Sequence, residues 1–170
     1  GADLDVPVSY EGFEGIGSGM GSAGFIVYDD TTCMVDAAYR FSRFLSIESC
    51  GQCPPCKLGS SAITEHLEAI ETGVGDAGDL GVITGWLDHV TDGSRCYLAT
   101  EEQIMVSSIL RTFPEEFTEH LDHGRCLRPR RLPIPKLLDL TDGHAVYDDS
   151  FWLKQPDWTY ASDTDPERQP

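Results

Sequence analysis

Three cysteines within seven residues constrain this chain more than any other feature. They stand in Ser49-Cys50-Gly51-Gln52-Cys53-Pro54-Pro55-Cys56, a C-x2-C-x2-C run, and Cys96 follows about 40 positions later. Three chemistries use closely spaced cysteines. Disulfides suit the run poorly, because thiols three apart in one tight loop cannot all cross-link one another, and no basic-then-apolar secretory pattern opens the chain. Structural zinc sites usually take paired C-x2-C knuckles, or one pair plus histidine. An evenly spaced triple instead puts three thiolates on one concave loop, which suits three corners of a cubane better than a single tetrahedral ion. Bacterial ferredoxins use the same core spacing for [4Fe–4S] clusters, with a further cysteine completing the all-thiolate ligation. Cys96 is the candidate for that fourth place. Zinc and disulfide remain as competing readings of the residues alone.

The neighbours of the run fit a ligand loop. Gly51 lets the backbone come close and take positive φ, and Pro54 and Pro55 stiffen the loop. Lys57 follows one candidate ligand and Arg95 precedes another, so both are placed to offset the negative charge of a cluster or to sit solvated at the surface. Cys33 and Cys126 read as plain thiols.

Charge narrows the partners. A formal net charge of −17 and a pI near 4.4 exclude a general nucleic-acid binder and argue against adhesion to an anionic membrane. No apolar run approaches the ~18 residues of a membrane span, so no direct membrane insertion and a cytoplasmic location are expected. With 40% hydrophobic residues in 170, the chain has material for one cored domain. The start, Gly1-Ala2, reads as a cut end or a fragment.

Apolar spacing near period 3.6 predicts a mainly α fold. Residues 1–24 are rich in glycine; because they precede a strand-like Phe25-Ile26-Val27-Tyr28 instead of following one, a phosphate cradle is not expected. Asp30-Thr31-Thr32 offers caps for a helix running to about Ser49, with Met34, Val35, Ala38, Phe41 and Leu45 on one face. Further helices are expected over about 58–72, 79–91 and 99–112, and a short last one over Glu115 to His123. Four amphipathic helices with short links make an antiparallel four-helix bundle the natural packing. In it, the loops bearing the Cys run and Cys96 can share one end.

Beyond Gly124 the prolines and Arg128, Arg130 and Arg131 predict an extended arm, docking on the acidic body of the chain or on an acidic partner. Phe151, Trp152, Trp158 and Tyr160 make an aromatic tail, read as a strap over the bundle in preference to a partner-binding tail, and the last ten residues read as disordered. His66, His89, His120, His123 and His144 show no metal spacing and read as ordinary helix-surface or turn residues. No nucleophile elbow or acid–base pair stands out, so no catalytic residue is expected.

The order Gly19-Met20-Gly21-Ser22-Ala23-Gly24-Phe25-Ile26-Val27-Tyr28-Asp29, then Cys33-Met34-Val35, then Glu48-Ser49-Cys50-Gly51-Gln52-Cys53-Pro54-Pro55-Cys56 resembles a known family. It is similar to the C-terminal, [4Fe–4S]-binding region of the NADH-binding flavoprotein subunit of respiratory complex I, with relatives in NAD-linked hydrogenases and formate dehydrogenases. The resemblance covers roughly residues 5–122. It implies that Cys50, Cys53, Cys56 and Cys96 bind a [4Fe–4S] cluster on a helical bundle. It also implies three parts: 1–30 as a remnant of a ubiquitin-like domain, 31–124 as the iron–sulfur bundle, and 125–170 as the arm and tail. The family's FMN- and NADH-binding domain has no counterpart here, so no FMN or NAD site is expected in this chain. Lys57-Leu58-Gly59 also departs from the Arg-Glu-Gly usual in the family.

The function implied is a single-electron relay through one [4Fe–4S] cluster, with a flavoprotein or other redox protein as partner. The chain reads as a piece of such a subunit or, favoured modestly by its C-terminus, a stand-alone homologue. The competing class is an interaction or scaffold protein in which the metal, iron–sulfur or zinc, only staples the bundle.

Overall fold

The computed structural model describes residues 5–21, 24–128 and 137–148. Its elements are α1 (Tyr10–Gly15), α2 (Met34–Glu48), α3 (Pro54–Thr72), α4 (Ala77–His89), α5 (Leu98–Thr112), α6 (Pro114–His123), β1 (Leu137–Thr141) and β2 (His144–Tyr147). The fold is mainly α, as the periodicity predicts. No described helix is long and apolar enough to cross a membrane.

Local chemistry sets the helix ends. Cys33 caps α2, its sulfur accepting the Asp36 N–H at 3.3 Å. The expected caps upstream form a turn instead, in which Asp29 Oδ1 accepts the Thr31 N–H and hydroxyl at 3.1 and 2.6 Å. Helix α3 starts at Pro54, four residues earlier than the spacing suggests. The two prolines occupy its first turn, where the missing N–H groups cost nothing, so they open a helix and do not stiffen a free loop. Helix α4 opens on a capping box: Asp76 Oδ1 accepts the Gly78 N–H and Asp79 Oδ2 accepts the Asp76 N–H, both at 2.6 Å.

Helix α3 is the hub, packed against α2, α4, α5 and α6. It contributes Ile63, Leu67 and Ile70 to a core shared with Val35 and Ala38 of α2, Ile83 and Leu87 of α4, Val106 and Ile109 of α5, and Phe117 of α6. Gly59 permits the α3–α4 contact, since a Cβ there would stand 3.0 Å from Val90 Cγ2 and 3.1 Å from Trp86 Cε3. The four long helices carry the bundle, and α6 adds Phe117 and His120 to its interior.

Three segments lie outside the four long helices and α6. Phe25-Ile26-Val27-Tyr28 forms no strand; it has no ladder partner among the described residues, and Val27 is 91% exposed. The glycine-rich segment contains the short α1 and then runs along α5. There the Gly17 carbonyl accepts from Arg111 at 2.5 Å and Gly19 lies against Ile104. Beyond the bundle, β1 and β2 pair antiparallel, Leu140 opposite Ala145 and Thr141 opposite His144. Asp142 and Gly143 turn the hairpin with φ of 52° and 78°.

Of the basic arm, Arg128 bonds Glu119 and Glu116 of α6 at 3.2 and 3.4 Å. Arg130, Arg131, the aromatic tail and the last ten residues lie outside the described residues.

Candidate metal centre

The C-terminal end of α2 and the starts of α3 and α5 meet at one end of the bundle. Helix α2 stops at Ser49, whose N–H still bonds the Leu45 carbonyl at 2.9 Å. Gly51 then takes φ of 75°, a left-handed turn that reverses the chain between Cys50 and Cys53. Cys53 is the N-cap of α3 and Cys56 lies in its first turn, so both sulfur-bearing residues sit at the positive end of that helix dipole. Cys96 enters from the connection before α5.

The four cysteines line one small pocket with Ser49, Gln52, Ser94, Arg95, Leu98 and Ala99. All four are free thiols, Cys56 buried, Cys53 half-buried, Cys50 and Cys96 exposed. Arg95 bonds Gln52 Oε1 at 3.5 Å and so ties the two cysteine-bearing loops together. Ser49 Oγ lies 3.6 Å from Cys56 Sγ, and the Gly51 N–H bonds that same hydroxyl at 3.4 Å.

Burial pushes the Cys56 thiol up. The Ser49 hydrogen bond opposes that shift, while the nearby Cys96, Cys53 and Cys50 add to it. Four thiolates this close repel one another unless a cationic centre sits among them. The donor set, four soft sulfurs with no carboxylate or imidazole lining their pocket, therefore fits an iron–sulfur cluster.

Among the histidines, His66, His89 and His123 lie on helices with part of their surface in solvent, and His144 is in the hairpin. His120 is the correction: it is 1% exposed, held beneath α6 by packing that no sequence spacing announces.

A helical bundle with four cysteines lining one pocket at one end has the form of a small metal- or cluster-binding module. Residues 36–120 match the model of the NADH-ubiquinone oxidoreductase-F iron-sulfur binding region. The chain belongs to that family, an iron–sulfur-binding region whose cofactor is a [4Fe–4S] cluster. It is 37% identical over 123 residues to the F subunit of the NADH-quinone oxidoreductase of Streptomyces coelicolor, covering 72% of this chain and 27% of that protein. It is also similar to the NADP-reducing hydrogenase subunit HndC of Solidesulfovibrio fructosivorans, 36% identical over 124 residues, covering 73% and 25% respectively. The chain thus spans about a quarter of the length of the curated relatives it matches.

Proposed function

We propose that this chain binds one [4Fe–4S] cluster through Cys50, Cys53, Cys56 and Cys96 and relays single electrons within an NADH dehydrogenase-like or hydrogenase-like oxidoreductase. The observation that supports the reading is the single pocket lined by all four cysteines, fed by two loops that the bundle brings to one end. The cluster would supply reversible one-electron redox chemistry at a potential set by its surroundings.

The chain's own residues do the rest. The first turn of α3 directs its positive end at the sulfurs. Ser49 presents a hydroxyl to Cys56, and Arg95 places positive charge beside Cys96 while bracing the loop through Gln52. Half-buried Leu98 and buried Ala99 give the pocket its apolar lining. Cys50 and Cys96 remain exposed, so that end of the bundle is the approach for a redox partner. The flavin- and nucleotide-binding steps belong to other parts of the complex, and the partners are its other subunits.

Anaerobic purification with iron and acid-labile sulfide analysis tests the reading, with EPR before and after reduction. The expected result is about four iron and four sulfide per chain and a signal that appears on reduction. Cys96→Ser should lose or convert the cluster. Zinc without sulfide, or a cluster that stays silent at every potential applied, would make the metal a staple and end the electron-transfer reading.

A further inference from the structure

At the other end of α2 and α3, four more donor groups converge from separate parts of the chain. Cys33 caps the start of α2, Glu71 lies in the last turn of α3, His120 in the last turn of α6, and Cys126 just beyond it. One donor atom from each lies within 4.8 Å of all the others. Cys33 Sγ is 3.5 Å from His120 Nε2 and 3.8 Å from Glu71 Oε2, and those two are 3.1 Å apart. Ligands of a tetrahedral zinc ion, with bonds of about 2.0–2.3 Å, stand roughly 3.3–3.8 Å from one another.

From this convergence we propose a second metal site, a structural zinc ion held by Cys33, Glu71, His120 and Cys126. Two thiolates, one imidazole and one carboxylate make a borderline-soft set that suits zinc. Its surroundings are those of a ligand shell. His120 Nδ1 lies 2.8 Å from the Glu116 carbonyl; donating its proton there leaves the Nε2 lone pair facing Cys33 and Glu71. The Glu116 carboxylate is itself fixed, accepting the Met34 N–H at 2.8 Å and pairing with Arg128. Cys33 is fully buried, and the Asp36 N–H donated to its sulfur fixes the side chain in place. Cys126 S–H donates to the Arg128 carbonyl at 3.0 Å, a proton that binding displaces. Zn2+ enters as two thiol protons leave, and no electron moves.

The site explains how α6 is held. That helix has ten residues, too short to be stable alone. A zinc ion ties it to the start of α2 and the end of α3, and fixes where the chain departs after Cys126. From Cys56 to Glu71, helix α3 rises about 22 Å, so the two sites lie at opposite ends of the bundle. The zinc site does not depend on the ligand set of the cluster.

The test is zinc analysis of the anaerobically purified, iron-loaded chain, with iron and sulfide measured in the same sample. About one zinc per chain beside the full iron content is expected. Glu71→Gln and Cys126→Ser should lower zinc affinity at least ~10-fold while iron and sulfide stay unchanged. Cys96→Ser should do the reverse, losing iron and keeping zinc, so failure of either site is read separately. Cobalt supplied in place of zinc should give thiolate-to-metal absorption that Cys126→Ser weakens. If Cys126→Ser does not fold, Glu71→Gln, which keeps shape and leaves both thiols, carries the comparison. The proposal falls if the iron-loaded chain takes up no zinc, if zinc binding is indifferent to both substitutions, or if Cys33 and Cys126 are found joined as a disulfide.

Discussion

Ser42 Oγ donates to Glu102 Oε1 across 2.5 Å inside the bundle, joining α2 to α5. The same hydroxyl lies 2.8 Å from Thr64 Oγ1 of α3, whose own hydroxyl donates to the Ser60 carbonyl at 2.7 Å. Glu102 is fully buried, and its other oxygen has no partner among the described residues. An ionised carboxylate there is poorly solvated. Burial therefore pushes the Glu102 pKa up to about 7, against the opposing pull of the Ser42 hydrogen bond.

The sign follows from linkage. A carboxyl whose folded pKa is raised stabilises fully below its unfolded value, and that contribution is lost as pH rises through about 7. Glu102→Gln removes the titration. The stability of the native chain relative to this variant should fall by on the order of 2 kcal/mol between about pH 5 and about pH 8. Urea unfolding of both proteins at the two pH values measures it. Parallel pH profiles would mean that Glu102 ionises in its ordinary range.

Glycines on facing helices give a second prediction with its own control. A Cβ at Gly59 meets Val90 and Trp86 at close range, whereas nothing lies within 4 Å of one at Gly81 or Gly85 on α4. Gly59→Leu forces α3 and α4 apart and should cost about 1–3 kcal/mol. Gly81→Ala and Gly85→Ala add helix propensity without a clash and should each stabilise by roughly 0.5–1 kcal/mol. Thermal midpoints of the three variants should move in these opposite directions. Equal effects at all three positions would remove the close α3–α4 approach as the reason for glycine at 59.

Most helices were legible because their apolar faces repeat every three or four residues, as Ile63, Leu67 and Ile70 do on α3. The cysteine run was legible because three ligand-type residues sit in one loop. What escaped depends on contacts between distant parts of the chain. His120 and Glu71 face Cys33 only after α6 has packed on α2 and α3, and four donors at 33, 71, 120 and 126 make no local pattern. Pro54 and Pro55 are ambiguous in sequence, since the first turn of a helix and a stiff loop ask the same φ of them. The hairpin had a visible signal in Asp142-Gly143, between runs whose side chains all stay exposed and therefore show no buried face. Phe25 to Tyr28 has strand composition without a partner strand among the described residues, and composition alone does not make a sheet.

Asp79 holds two elements at once. Its Oδ2 accepts the Asp76 N–H in the capping box of α4, and its Oδ1 is in a short contact with His66 Nδ1 of α3. The His66 hydrogen bond, then the Asp76 N–H, hold its pKa below the usual carboxylate value. Asp79→Ala should cost about 1–2 kcal/mol near neutral pH by removing the box. A lowered folded pKa stabilises above the unfolded value and is lost as pH falls through the folded one, so the gap between the native chain and Asp79→Ala should close in acid. Paired unfolding curves across the acid range would show that convergence; a constant gap would assign the cost to lost packing instead.

Ser49 should tune the redox centre. With Cys56 as a ligand, its sulfur is a thiolate that only accepts, so the 3.6 Å contact has the Ser49 hydroxyl donating. Each added electron makes the centre more anionic, and a hydrogen bond to sulfur therefore favours the reduced form. Taking a net bond worth about 1 kcal/mol as the upper limit of its strengthening on reduction, and about 59 mV for each 1.4 kcal/mol in a one-electron couple, Ser49→Ala should lower the potential by up to roughly 40 mV. Iron and sulfide content should not change, because the hydroxyl is not a ligand. Redox titration followed by EPR reads the shift. An unchanged potential at full cluster loading would show that the hydroxyl proton is not donated to the sulfur, whereas loss of iron would make Ser49 part of the scaffold that shapes the loop.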